Sequence, residues 1–127
     1  MTTKPADQVA SVQELVERFL STGLAQYEAA YVVDTRKYNR LYARMQDIRK
    51  ELRRREGDQR RALLPLLNHP NVQVRMMAAH TVLTISPDLA RKAFESVRDS
   101  GIFPQAADAS GTLRALDNGT YIYADLK

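Results

Sequence analysis

Acid–base or metal chemistry in this chain would have to run through two histidines, His69 and His80, because there is no cysteine. The missing thiols rule out disulfides, a thiolate nucleophile and thiolate metal ligands, and fit a reducing compartment. His69 falls in a proline turn and His80 on a helix. Neither is accompanied by a Ser/His/Asp order, a glycine-rich phosphate loop or a metal-ligand spacing. Glu14 and Glu17 share a helix face, which could begin a carboxylate metal site. The matching Glu-x-x-His is absent, so a solvated edge is the plainer account. No catalytic residue, metal ligand or cofactor is assigned, and an enzyme is the least favoured class.

Recognition chemistry has more to work with. Arg36, Arg40, Arg44, Arg54 and Arg55 fall on one side of a long predicted helix, and clustered arginines can track phosphates. Asp47 and Glu51 lie among them, however, and the i,i+4 pair Glu51–Arg55 and the i,i+3 pair Asp47–Lys50 would blunt the field. A solvated helix face is the favoured explanation. Tyr27, Tyr31, Tyr38 and Tyr42 form two i,i+4 pairs that could stack on bases. Rings buried at the edges of helix packing, with wet hydroxyls, explain them more simply.

The elements that must position these groups centre on residues 63–85, LLPLLNHPNVQVRMMAAHTVLTI. Asn71 is suited to cap a helix running to about Ile85, and Pro70 ends the segment before it. At a helical step of ~100° per residue, Val72, Met76, Ala79 and Leu83 make one apolar stripe. Val74, Ala78, Val82 and Ile85 make a second, so the helix is sandwiched between neighbours. The stripe left over, Gln73, Met77, His80 and Thr84, is expected to face water or a partner. Arg75 falls inside the apolar arc and needs an acidic or carbonyl partner.

The 127 residues amount to one domain, and the net charge of +4 is concentrated in residues 36–61, which hold most of the 19 basic side chains. The N-terminus lacks the apolar core of a signal peptide, and no apolar run approaches the ~18 residues of a membrane span, so a cytoplasmic location with no membrane contact is expected. Asp7 is expected to cap a first helix, with a break or bend at Ser21-Thr22-Gly23 and a second segment from Leu24 to Val33. Asp34 should then cap the longest helix, whose seam Tyr38, Leu41, Met45, Ile48 and Leu52 packs on the first as an antiparallel pair. Asp58 opens a short helix bent at Pro65, Ser86-Pro87-Asp88 opens another with Leu89, Ala93, Phe94 and Val97 inside, and Gly101 stops it. The last helix follows Phe103-Pro104, with Ala106, Ala109, Leu113 and Leu116 packed, and ends at Asn118-Gly119. Gly111 in its middle suggests a closely crossing backbone. The tail from Thr120 to Lys127 is left open between extended and docked.

LLPLLNHPNVQVR followed by an alanine-rich helix resembles the HEAT repeat, a helix–turn–helix unit of roughly 40–47 residues. The resemblance implies an all-α, armadillo/HEAT-like fold of stacked antiparallel helix pairs, about six to seven helices wound as a right-handed superhelix. It divides the chain into a helical hairpin (7–56), a repeat core (58–119) and a tail (120–127). It also implies that Arg75 pairs with Asp99 in the following turn, with Asp108 as the fallback. GDQRRALLPLLNHPNVQVRMMAAH and SGIFPQAADASGTLRALDNG together resemble a family of small bacterial proteins known as domain of unknown function two thousand and nineteen. That resemblance brings a fold and a bacterial source but no activity.

On these grounds the leading expectation is a protein-interaction module. Its groove would be lined by Gln73, Met77, His80 and Thr84 with Gln105, Asp108 and Thr112 of the last helix, and would bind a protein partner or a second copy of the chain. Nucleic-acid binding through the arginine face is the alternative.

Overall fold

The computed structural model describes residues 6–123. Among them are seven helical elements and no strand: α1 (Ala6–Val9), α2 (Val12–Tyr31), α3 (Thr35–Arg54), a 3-10 segment (Gln59–Asn68), α4 (Val72–Val82), α5 (Pro87–Arg98) and α6 (Gln105–Asn118). The all-α expectation is met.

The N-terminal start signal is Ser11, not Asp7. Ser11 Oγ accepts from the Glu14 amide at 3.0 Å while Glu14 Oε1 accepts from the Ser11 amide at 3.1 Å, a reciprocal capping box. This also accounts for Glu14 without a metal. From there α2 runs unbroken for 20 residues. Gly23 does not bend it; a Cβ placed there would lie 3.1 Å from the Val74 side chain and 3.5 Å from its Cα. The glycine lets α2 and α4 approach closely, which a sequence reads as a break.

Helices α2 and α3 are joined by so short a turn that they must run antiparallel. The turn is a Schellman motif: Asp34 N–H donates to Ala29 O at 2.8 Å and Val33 N–H to Ala30 O at 3.2 Å. The residue normally glycine in this motif is Val33, held at φ 56° and 79% exposed. Asp34 then caps α3 through the Lys37 amide. The α3 seam is buried at Met45, Ile48 and Leu52, while Tyr38 and Leu41 are only half-buried.

Short α1 is clamped onto this hairpin by its own acid. Asp7 receives both guanidinium arms of Arg44 and, at 3.0 Å, an arm of Arg18. Arg55 adds bonds of 2.8 Å to the carbonyls of Asp7 and Ala10. The hydrogen bond from Arg44 leads the causes that hold the Asp7 carboxyl below its ordinary pKa; burial opposes it and Arg18 assists.

Pro65 has no N–H to return to the preceding turn, and residues 59–68 wind as 3-10 rather than α-helix. Asn71 Oδ1 caps α4 by accepting from the amides of Gln73 and Val74. Every α4 residue except Arg75 and His80 is buried, because the 3-10 segment, α2, α5 and α6 all pack on it. In α5 the buried set is Ala90, Ala93, Phe94 and Val97; Leu89 faces out. Within α6, Ala106, Ala109 and Leu113 are buried as expected. Gly111 meets no crossing backbone, its nearest neighbour being the Arg114 guanidinium at 3.7 Å. Past Gly119, Tyr121 packs against the core, Ile122 is exposed, and the remainder of the tail, 124–127, lies outside the described residues.

Arg75 does not pair with Asp99. Its Nη1 donates to the His69 carbonyl at 3.1 Å, a carbonyl of the preceding turn, whereas Asp99 is exposed and holds its sequence neighbour Arg98 at 2.8 Å. The guanidinium reaches back along its own chain, and its Nη1 also lies 3.5 Å from the Pro70 carbonyl.

Two stability outcomes follow from the hairpin. Val33→Gly should raise stability by about 0.5–1 kcal/mol, the left-handed penalty relieved less the entropy of glycine; a lowered melting temperature would show that no strain is stored there. Asp7→Asn should cost roughly 1–2 kcal/mol at neutral pH. Because the folded pKa is depressed, that difference should be full above about pH 4 and shrink as the pH falls through the folded value. Denaturant melts of both proteins across that range check it, and a pH-independent difference would contradict it.

Candidate functional site

Three buried glutamines cross the molecule beneath one recessed face. Gln105 Nε2 donates to Gln73 Oε1 at 3.1 Å, and Gln73 Nε2 donates to Gln26 Oε1 and to the Tyr38 hydroxyl, both at 3.3 Å. The three are no more than 1% exposed. They join α6, α4 and α2, with Tyr38 bringing in α3. The expectation that Gln73 and Gln105 face a partner is therefore corrected. A helix enclosed on every side spends its polar stripe on internal hydrogen bonds, since a buried amide without a partner costs about 1–3 kcal/mol.

Above this ladder lies a groove with two recesses. The first, ≈ 260 Å³, is walled by Ala29, Ala30, Val33 and Pro104, with Asp34, Tyr38, Gln73 and Asp108 supplying polar atoms. The second, ≈ 270 Å³, is bounded by Tyr42, Arg49, Met76, Met77, His80 and the tail residues Tyr121 and Ile122. Tyr38 and Asp108 line both, so the recesses meet at this pair. Asp108 stands one turn beyond Gln105 on α6, and Tyr38 bonds Gln73, so the ladder sets both positions.

Of the residues expected in the groove, Gln73, Met77, His80 and Asp108 line it, the first two only as floor. Thr84 does not. It lies beyond the end of α4 and accepts from Arg60 Nη1 at 3.1 Å, on another part of the surface. Thr112 is half-buried and its hydroxyl returns to the Asp108 carbonyl. Missed from sequence were Val33, Pro104, Tyr42 and Tyr121. The tyrosines carried a signal as an i,i+4 pair on α3, while the tail tyrosine had none.

Asp108 is exposed at its outer edge, and partial burial of its carboxyl raises its pKa. Burial likewise raises Tyr38, eased by the hydrogen bond with Gln73 and reinforced by the charge of Asp108. Tyr38 thus stays a neutral phenol at physiological pH. His80 Nδ1 lies 2.7 Å from the Tyr121 hydroxyl and its ring packs edge-on to Phe94, centroids 4.8 Å apart. His69 Nδ1 accepts from the Asn71 amide at 3.0 Å, a turn contact. Arg49, in the second recess, is held by Gln46 at 2.7 Å and donates to the His80 carbonyl at 3.4 Å. Among the described residues no group of three His, Cys, Asp or Glu is placed to hold a metal ion.

The arginine face is largely neutralised. Arg44 is committed to Asp7, and Arg54 and Arg55 converge on Glu51, whose carboxylate is 7% exposed. Arg36 and Arg40 are exposed and make no ion pair with a described residue. No helix among the described residues is long and apolar enough to cross a membrane.

Comparison with known proteins places this arrangement among relatives. Among curated proteins none matches. The crystal structure of the protein RPA1889 from Rhodopseudomonas palustris CGA009 is similar at 39% sequence identity and a TM-score of 0.88, over 94% of this chain and 98% of that one. A family model, Domain of unknown function (DUF2019), matches residues 13–117, and the chain belongs to that family.

Proposed function

We propose that this chain is a non-enzymatic interaction module of armadillo/HEAT-like build that holds an extended protein segment in the groove above the glutamine ladder. The observation that carries the proposal is the pair of recesses meeting at Tyr38 and Asp108. At ≈ 260 and ≈ 270 Å³ each is smaller than the ~300–1,000 Å³ of a usual small-molecule pocket. Each suits one side chain, and two joined recesses suit neighbouring side chains of one peptide. Tyr38, Tyr42 and Tyr121 line the groove and Met76 and Met77 lie in its floor, types enriched where proteins bind proteins, and methionine adapts to differing side chains. A cytoplasmic setting is part of the proposal.

Nucleic-acid binding through the arginine face remains the alternative and is weaker. With Arg44, Arg54 and Arg55 spent internally, Arg36 and Arg40 would neutralise about two phosphates. That gives a log–log salt slope of about −2, or roughly tenfold between ~50 and ~200 mM salt, too little for tight binding.

The test is capture from extracts of the native host with three baits. Wild type and Arg36→Glu/Arg40→Glu should retain the same protein, and Tyr42→Ala, a change at a position 45% exposed, should lose it. Retention of DNA by wild type that is abolished in the double arginine variant would instead establish the alternative.

A further inference from the structure

The first recess differs from the rest of the surface in its charge. Two carboxylates, Asp34 and Asp108, line it, and no basic side chain does. Asp34 is occupied in capping α3. Asp108 is not comparably occupied: among the described residues its bonds are made by its backbone, to the Pro104 carbonyl at 3.1 Å and from the Thr112 hydroxyl at 3.0 Å. The acids that do form ion pairs among the described residues are Asp7, Glu14, Glu51, Asp58, Asp99 and Asp117. An acid in the first turn of α6 is favourable on its own account, because it faces the positive end of the helix. That does not explain why its carboxyl lines a recess that holds no basic side chain, in a chain of net charge +4.

The remaining walls complete the description of a ligand. Ala29, Ala30, Val33 and Pro104 are apolar, and Tyr38 presents a ring and a neutral hydroxyl. A long side chain with an apolar stem and a cationic head matches this sequence of surfaces, stem on the alkyl wall and head at the carboxylates. An aromatic ring beside the head adds cation–π attraction. The chain's overall positive charge does not forbid this, since its field is screened beyond a Debye length of ~8 Å at physiological salt.

We infer that the partner segment is basic: a lysine or arginine enters the first recess to pair with Asp108 beside Tyr38, and a neighbouring apolar side chain enters the second, against Met76, Met77 and Tyr121. This rests on the groove binding proposed above and names its specificity.

The experiment selects a random phage-displayed peptide library on the full-length chain, then measures the selected peptides by titration. The selected sequences should share a lysine or arginine next to an apolar residue. Replacing that lysine by norleucine, or arginine by citrulline, should weaken binding about tenfold, as should Asp108→Asn, and the two changes together should cost no more than either. Binding should also weaken as the pH falls and Asp108 takes up its proton, the other ionisable groups lining the two recesses being Asp34, Tyr38, Tyr42, Arg49, His80 and Tyr121. Thermal melts matching wild type confirm that Asp108→Asn is folded. Peptides that need Tyr42 but tolerate loss of the cation would overturn this inference and leave the groove standing. Peptides indifferent to both Tyr42→Ala and Asp108→Asn would bind elsewhere and overturn the groove as well. A concentration-dependent dimer in sedimentation that Asp108→Asn dissolves would make a second copy the occupant and equally overturn a separate basic partner.

Discussion

The Gln73 side-chain amide is the contact on which the rest of the structure depends. Enclosing a helix between several neighbours leaves no face for polar residues, and a lone buried amide would be a net cost. Gln73 is tolerated because Gln26, Gln105 and Tyr38 come from three other helices to meet it. Hydrogen bonds have direction, so the same contact that removes the cost also fixes where those helices sit. Apolar packing alone tolerates sliding; a ladder of amides does not. The outer groups of the ladder, Gln26 Nε2 and Gln105 Oε1, have no hydrogen-bond partner among the described residues, so its value lies more in orientation than in net stability.

Function, as proposed, is a by-product of that orientation. Tyr38 touches the ladder directly and Asp108 stands one turn from Gln105, so the wall shared by the two recesses is held by core contacts rather than by loops. The hairpin tip contributes the opposite wall at Val33, where a β-branched residue occupies a backbone conformation suited to glycine. An exposed apolar side chain kept at such a position is more readily understood as a contact than as a stabilising element. Charge is handled in the same economical way. Three of the arginines that look like a nucleic-acid face, Arg44, Arg54 and Arg55, bind Asp7 and Glu51 and fasten α1 and the end of α3, while Asp34 and Asp108 are the acids that line the groove.

Much of the fold was legible because helix starts and apolar periodicity are local. Asn71, Asp34 and Pro87 mark their helices, and the double stripe on α4 gives its enclosure. What was missed depends on atoms far apart in the chain. Gly23 has the composition of a break, and only the proximity of Val74 makes it a packing contact. The Schellman turn at Val33 lacks its usual glycine, so nothing local marks it. The stripe Gln73, Met77, His80 and Thr84 was a sound inference from periodicity that failed for a physical reason: a polar residue every turn faces either water or other polar groups, and the pattern is identical for both. Arg75 was rightly seen to need an internal partner, yet a carbonyl of the preceding turn and an acid of the following one are indistinguishable in sequence.

The central claim is that Gln73 and Gln105 act as one unit. A double-mutant cycle combining Gln73→Ala and Gln105→Ala, read by equilibrium unfolding, tests it most directly. Each single change should be strongly destabilising, and the pair should show a coupling of about 1 kcal/mol or more. Additivity within about 0.3 kcal/mol would mean that the two amides stand independently, and that something other than the ladder positions the groove.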